Sequence, residues 1–225
     1  NNYGIKSAKT DYILILNPDV VCAEDFFSNI KDLIFKTEDF SIIGCQYLYD
    51  DVFMPAGFFD KKKNKQFVKN FKDDNIKPLS KVDWVTGCSM LLNLKNLKTK
   101  TIFDQDFFLY FEEFDLCKSI INNGKNIFSS SQLKVHHLGF KSSLGENEIE
   151  NLKTKNVKDW HYMWSSFHFY KKNYGYVYAL IKLLGKFLRS LFKMFFYSIT
   201  FKKDLKNKYL YRFLGLLNSM MGRPS

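Results

Sequence analysis

Residues 12–34 read YILILNPDVVCAEDFFSNIKDLI, and two periodicities meet inside them. Tyr12-Ile13-Leu14-Ile15-Leu16 is a continuous apolar run stopped by Asn17-Pro18-Asp19, the pattern of a short strand buried on both faces that ends in a sharp turn. From Glu24 the spacing changes: Phe26, Phe27, Ile30, Leu33 and Ile34 recur at helical intervals, with Glu24 and Asp25 in the first turn, where the helix dipole favours acids. A helix follows the strand.

Working outward, Ser41–Cys45 predicts a second strand, and residues 50–81, with the run Lys61-Lys62-Lys63-Asn64-Lys65, predict a polar surface excursion or hairpin. Val82–Leu92 returns to core composition. The aromatic and acid-rich stretch 103–114 leads into a helix from about Glu112 that stops at Asn122-Asn123-Gly124. Strands are expected at Asn126–Phe128 and Leu133–His137, and an aromatic helix at Trp160–Tyr170. Strands alternating with helices predict an α/β sandwich with a mainly parallel sheet, whose ligand sites lie at the carboxyl ends of strands, as Asn17-Pro18-Asp19 does.

The chain of 225 residues is 46% hydrophobic and 18% aromatic, which excludes a disordered polymer. Its net charge of +11 lies wholly in the last 55 residues: 1–170 hold 22 cations against 22 acids, whereas 171–225 hold twelve cations and one acid, Asp204. Segregated charge of this kind points to an anionic surface met by the tail. Within Tyr176–Phe201, Lys182, Lys186, Arg189 and Lys193 fall on a stripe about 60° wide at 100° per residue, and the rest of the cylinder is apolar. No stretch reaches the roughly 18 uncharged apolar residues of a spanning helix, so the expectation is an amphipathic helix in the interface of an anionic membrane, cations toward the headgroups, with a weaker repeat at Leu205–Met221. Packing of this helix on the body is the alternative. Because the cations alternate with Phe and Leu, nucleic acid is not an expected partner.

Cys22, Cys45, Cys88 and Cys117 are too scattered for a metal cluster or a disulfide framework, so buried thiols in a reducing compartment are expected. GxSxG, GxxxxGK[ST], GxGxxG and HExxH are all missing, which argues against serine hydrolases, P-loop nucleotidases, dinucleotide oxidoreductases and zinc peptidases. Asp19 stands where a carboxylate could hold a divalent cation against a diphosphate, although Asp is also an ordinary turn residue. Glu112, Glu113 and Asp115 suit a helix N-terminus, and five apolar residues, 107–111, deliver them toward desolvation, which suits a general base. His136 and His137 close a strand within reach of metal or phosphate, while His161 and His168 are expected to pack.

Four ordered strings carry a family resemblance: Asn2-x-Gly4-(x)3-Ala8 running into Tyr12–Asp19; Val82-Asp83-Trp84-Val85-x-Gly87; Phe103-Asp104-(x)2-Phe107-Phe108-x-Tyr110-x-Glu112-Glu113-x-Asp115-Leu116-Cys117; and Val135-His136-(x)2-Gly139. Together, over about residues 1–175, they resemble the family 2 glycosyltransferases, in particular the bacterial rhamnosyltransferase-like branch that builds cell-surface polysaccharide. The resemblance implies a nucleotide-diphospho-sugar transferase (GT-A-like) sandwich over 1–170, lacking its first strand-helix-strand unit, and a membrane-associating helical tail over 171–225. It implies inverting transfer of a sugar, with rhamnose suggested by the branch, from a nucleotide diphosphate to a lipid-linked or polysaccharide acceptor. Glu113 would be the general base and Glu112 its partner, Asp19 and His136 would serve a Mg²⁺ or Mn²⁺ ion, and Asn2, Gly4, Asn17, Asp83, Trp84, Gly87 and Asp115 would form the substrate pocket. Asn17 stands where the family's metal element carries its first Asp. A peripheral place on the cytoplasmic face of the inner membrane follows from the same resemblance, and a non-catalytic scaffold of the same fold is the alternative.

Overall fold

A computed structural model describes residues 1–37, 39–49, 52–54, 56–72, 77–97, 102–138 and 148–225. Gly139, singled out above, lies outside the described residues. The chain forms two compact units, one of residues 1–103 and 116–142, the other of residues 104–115 and 143–225. The division expected at residue 170 falls inside a helix.

The first unit is built on a mixed sheet. Strands β1 (Tyr12–Leu16), β6 (Ser89–Asn93), β3 (Ile42–Tyr49), β7 (Ile127–His137) and β2 (Val20–Cys22) lie in that spatial order, with β4 (Val52–Met54) on β3 and β5 (Leu79–Val82) on β7. The mainly parallel sheet expected from the sequence is not what forms: among the described pairings only β3 and β7 run parallel. The reason is spatial order, which the alternation of strands and helices leaves open: β6 lies between β1 and β3 and runs opposite to both, β2 and β5 run opposite to β7 beside them, and β4 returns along β3 as a hairpin. β1 is also an edge strand, half-buried instead of covered on both faces. The strands expected at 126–128 and 133–137 are one strand, β7, whose register against β3 shifts between Cys45 and Gln46.

Side-chain alternation divides the core into two layers. Ile42, Met90, Leu92 and Ile127 meet Leu116, Cys117 and Ile120 of α5 (Glu112–Asn122), while Ile43, Leu91, Leu133 and Val135 meet Phe26, Ile30 and Leu33 of α2 (Phe26–Lys36). Helix α2 follows its predicted spacing, except that Phe27 stays exposed. Helix α5 ends where predicted, at a left-handed Gly124 (φ 69°) whose own amide donates to the Ile121 carbonyl while the Lys125 amide donates to that of Ile120. The polar excursion at 50–81 carries the β4 hairpin arm and a helix, α3 (Lys61–Lys72), because its lysines line the solvent side of a helix whose Phe67 packs inward. A Cβ on Gly57 would lie 2.1 Å from Asn64 Oδ1 and 2.5 Å from the Trp84 ring, so the chain can cross there only as glycine.

Short helices α1 (Asn2–Ser7) and α4 (Leu94–Leu97) complete this unit. The second unit is helical: α6 (Glu148–Tyr174), α7 (Tyr176–Ile199) and α8 (Lys203–Met220) share a core of Met163, Phe167, Ala179, Leu183 and Leu216. Helix α6 is much longer than the predicted Trp160–Tyr170, and Gly175 (φ 94°) makes the sharp turn into α7. No described helix is long and apolar enough to cross a membrane.

Candidate active site

The two units hold different parts of the predicted site. In the sheet unit, β1 is followed by Asn17, whose amide donates to the Cys88 carbonyl (3.0 Å), and the turn closes with the Val20 amide on the Asn17 carbonyl. That turn sinks Asp19 to 8% exposure, with its Oδ1 3.5 Å from His137 Nε2. In the ladder Val20 faces His137 and Val21 faces His136, so alternation sends the exposed His136 to the opposite side of the sheet. The structure therefore brings His137, not His136, to Asp19.

Asn2 acts as a backbone clamp. Its Oδ1 accepts from the amides of Ile102 and Phe103, and its Nδ2 donates to the Phe103 carbonyl at 2.7 Å. Gly4 is exposed on α1 with open space around it, so sterics do not require glycine there. Asp83 accepts the Phe59 amide (3.0 Å), and the Asp83 and Trp84 amides both donate to the Gly57 carbonyl, which fixes the indole over Gly57. Gly87 lies partly buried in the turn before β6.

The carboxylate group opens α5 and belongs to the helical unit up to Asp115. Tyr110 and Phe111, immediately before Glu112, both take left-handed backbone conformations (φ 68° and 69°). For bulky residues this costs of the order of 1–2 kcal/mol each and persists only where the surroundings impose it. One face of α6 does the imposing. His161 packs on Phe108, Tyr162 on Tyr110 and Phe111, and Phe169 on Phe111. Ser165 Oγ donates to the Leu109 carbonyl (2.8 Å), His168 lies 3.7 Å from Asp106, and Lys172 donates to Asp104 (2.5 Å) and Asp115 (2.6 Å). Asn173 adds a second donor to the buried Asp115, at 3.0 Å. Positions 161, 162, 165, 168, 169 and 172 follow helical spacing, so a single stripe holds the loop that delivers Glu112 and Glu113.

Burial pushes the Glu112 carboxyl above its ordinary range, and its Oε2 is buried with no hydrogen-bond partner among the described residues. The expectation of a desolvated acid at this helix start is thus met at Glu112. Burial likewise raises the Tyr110 phenol, with smaller contributions from the charges of Asp159 and Glu112. Burial pushes the Asp104 carboxyl up, but the Lys172 ammonium, the Asp106 amide and His168 outweigh it and hold it low.

Asp104, Asp106 and His168 offer ligand atoms within 4.8 Å of one another. However, the Lys172 ammonium already supplies the cation against Asp104, so the cluster works as an ion-pair network. Asp19 offers a single buried carboxylate beside His137, the kind of oxygen ligand that a divalent ion takes together with substrate phosphates and waters. Lys172, Ser165, Gly57 and the left-handed pair escaped the sequence. Their signal is tertiary, apart from helical spacing along α6, which becomes informative only once its partner loop is known.

No protein-family model matches the chain. Half of it is similar to the rhamnosyltransferase WbbL of Escherichia coli (strain K12), with 29% identity over 129 residues covering 50% of this chain and 46% of the relative. The match thus spans about half the length of that curated protein. The similarity supports a glycosyltransferase role, and the mixed α/β sheet is consistent with that fold.

Proposed function

We propose that the chain is the catalytic part of a metal-dependent, inverting glycosyltransferase that moves a sugar from a nucleotide-diphosphate donor to a lipid-linked or polysaccharide acceptor in cell-surface glycan synthesis, with rhamnose as the sugar. The observation that carries the reading is the acid pair Glu112-Glu113, set behind two left-handed residues and a six-residue clamp in a chain half of which is similar to a rhamnosyltransferase. Strain held against a functional group is a mark of preorganisation. Asp19, buried at the end of β1 beside His137, is the group that would hold a divalent ion.

In this reading Glu113 takes the proton of the acceptor hydroxyl as its oxygen attacks the anomeric carbon, and the bond to the nucleoside diphosphate breaks on the opposite face. Glu112, its carboxyl pushed up by burial, would orient the base or contact the acceptor. Mg²⁺ or Mn²⁺ would supply neutralisation of the departing diphosphate. Asp83 and Trp84, fixed by Gly57 and Phe59, would shape the sugar pocket, and Asp115 would hold the helix start by its ion pair.

The test is thermal stability of the chain with dTDP-, UDP- and GDP-sugars, with and without Mg²⁺ or Mn²⁺. A donor at 100 times its Kd raises stability by about 2.7 kcal/mol, which is readily measured as a rise in Tm. Metal-dependent stabilisation by one donor class, lost in Asp19→Asn, is expected. No stabilisation by any donor would overturn the transferase and favour the non-catalytic scaffold, which Asn17 in place of a second carboxylate favours.

A further inference from the structure

Helix α7 has three faces, and one of them has no partner among the described residues. Ala179, Leu183 and Ser190 are buried and make the face packed with α6 and α8. A second face carries Lys182, Lys186, Arg189 and Lys193, three of which lie over tyrosine rings of the flanking helices, at Tyr170, Tyr162 and Tyr209. The third carries Ile181, Leu184, Leu188, Phe192, Phe195 and Ile199, which are 51–77% exposed. At 100° per residue these six fall within about 80° of one another and run about 27 Å along the helix. The α7–α8 turn extends the patch with Phe201, 93% exposed, next to Lys202 and Lys203.

We infer that this stripe of α7 docks the helical unit on an anionic phospholipid surface, with the helix lying in the interface plane. Continuous exposed apolar surface on this scale marks an interaction site. Charge selects the occupant. The polar flank of α7 is wholly cationic, with no Asp or Glu anywhere on that helix. Two copies paired along the stripe would bring together two segments that each carry twelve cations and one acid over residues 171–225, whereas anionic headgroups complement that charge, including Lys202 and Lys203 beside the exposed Phe201. A buried depth of one side-chain layer needs no spanning segment, in keeping with the lack of one among the described helices. This inference stands on the tail alone and does not depend on the proposed transferase.

The structure also refines the orientation expected from the sequence. The cations were to form the single polar stripe of an otherwise apolar cylinder. Instead, part of that apolar surface is consumed by packing on α6 and α8, and the exposed stripe stands about 130° around the helix from the cations. The cations thus flank the contact and do not lie opposite a uniform apolar face.

The test is co-sedimentation of the full chain with extruded vesicles of equimolar phosphatidylglycerol and phosphatidylcholine, and of phosphatidylcholine alone. Binding to the anionic vesicles should exceed binding to the neutral ones by about tenfold or more and weaken as salt rises. Leu188→Gln/Phe192→Gln should lower binding at least about tenfold. Both side chains are exposed, so an unchanged circular dichroism spectrum and Tm establish that the variant is folded. In Phe192→Trp, the new indole should shift to the blue on vesicle addition and be quenched by brominated lipid. Three results would overturn the inference: vesicle binding that survives the double substitution, an unquenched Trp at position 192, or a concentration-dependent dimer that this substitution dissolves in a chain that ignores vesicles.

Discussion

Replacing Lys172 by Met separates the ion-pair network from the packing around it. The Lys172 ammonium is shared by Asp104 and Asp115 and sits 5.9 Å from the centre of the Phe107 ring; methionine keeps most of the apolar length of the side chain and removes the charge. Breaking a buried pair costs about 3–5 kcal/mol, and an exposed pair about 0.2–1 kcal/mol. Here the side-chain exposures are 42% for Lys172, 24% for Asp104 and 6% for Asp115, and Asp115 keeps the Asn173 amide. Solvent screening on the lysine side therefore places the loss near the middle, about 2 kcal/mol, which for a chain of this size is about 4–8 °C in Tm.

The pH dependence has a definite sign. The folded-state Asp104 carboxyl lies below its unfolded value of 3.8, so its stabilisation is complete above that value and fades as pH falls through the folded one. Burial alone would lower the Lys172 ammonium, but the two carboxylates raise it above 10.5, so its share holds at all lower pH and is lost only in strong alkali. The gap between parent and Lys172→Met should thus be flat from about pH 5 to 9 and close below about pH 4. Asp104→Asn removes the same interaction, so the double variant should lose less than the two single losses together. Circular-dichroism melting across pH decides the matter. A Lys172→Met chain melting within about 1 °C of the parent at pH 7 would refute the network as a stabilising clamp.

Gly215→Ala in α8 and Gly185→Ala in α7 should differ in sign. A Cβ at 215 would meet the Trp160 carbonyl oxygen at 2.3 Å, so backbone must give way at a cost of about 1–3 kcal/mol, whereas at 185 nothing lies within 4 Å and helix propensity predicts a gain of up to about 1 kcal/mol. Urea midpoints of the two variants test both at once. Glu113→Gln should abolish sugar transfer while donor-induced stabilisation survives, and a fully active variant would displace Glu113 as the base. Glu112→Gln should lower the rate and change its acid limb, because burial raises the Glu112 carboxyl, and a pH–rate profile reads that change. His137→Ala should weaken metal-dependent donor stabilisation more than His136→Ala, since only His137 lies beside Asp19.

Local signals carried the elements, and tertiary ones decided the site. Helix α2 was legible because burial of Phe26, Ile30 and Leu33 writes itself as a period of 3.6, and the end of α5 because Gly124 is the inexpensive left-handed residue. The same logic concealed the turn at Tyr110-Phe111: left-handed backbone in two aromatic residues has no local preference behind it and exists only because α6 presses on it from 161 to 172. Sheet direction was misjudged for a related reason. A run such as Tyr12–Leu16 reports apolar neighbours but not which strands they are or which way they run; the insertion of β6 between β1 and β3 sets that, and it is a tertiary choice. His136 and His137 show the smallest margin of all: adjacent and chemically identical, they are separated only by strand alternation, and a shift of one residue in the β2–β7 register would exchange which imidazole meets Asp19.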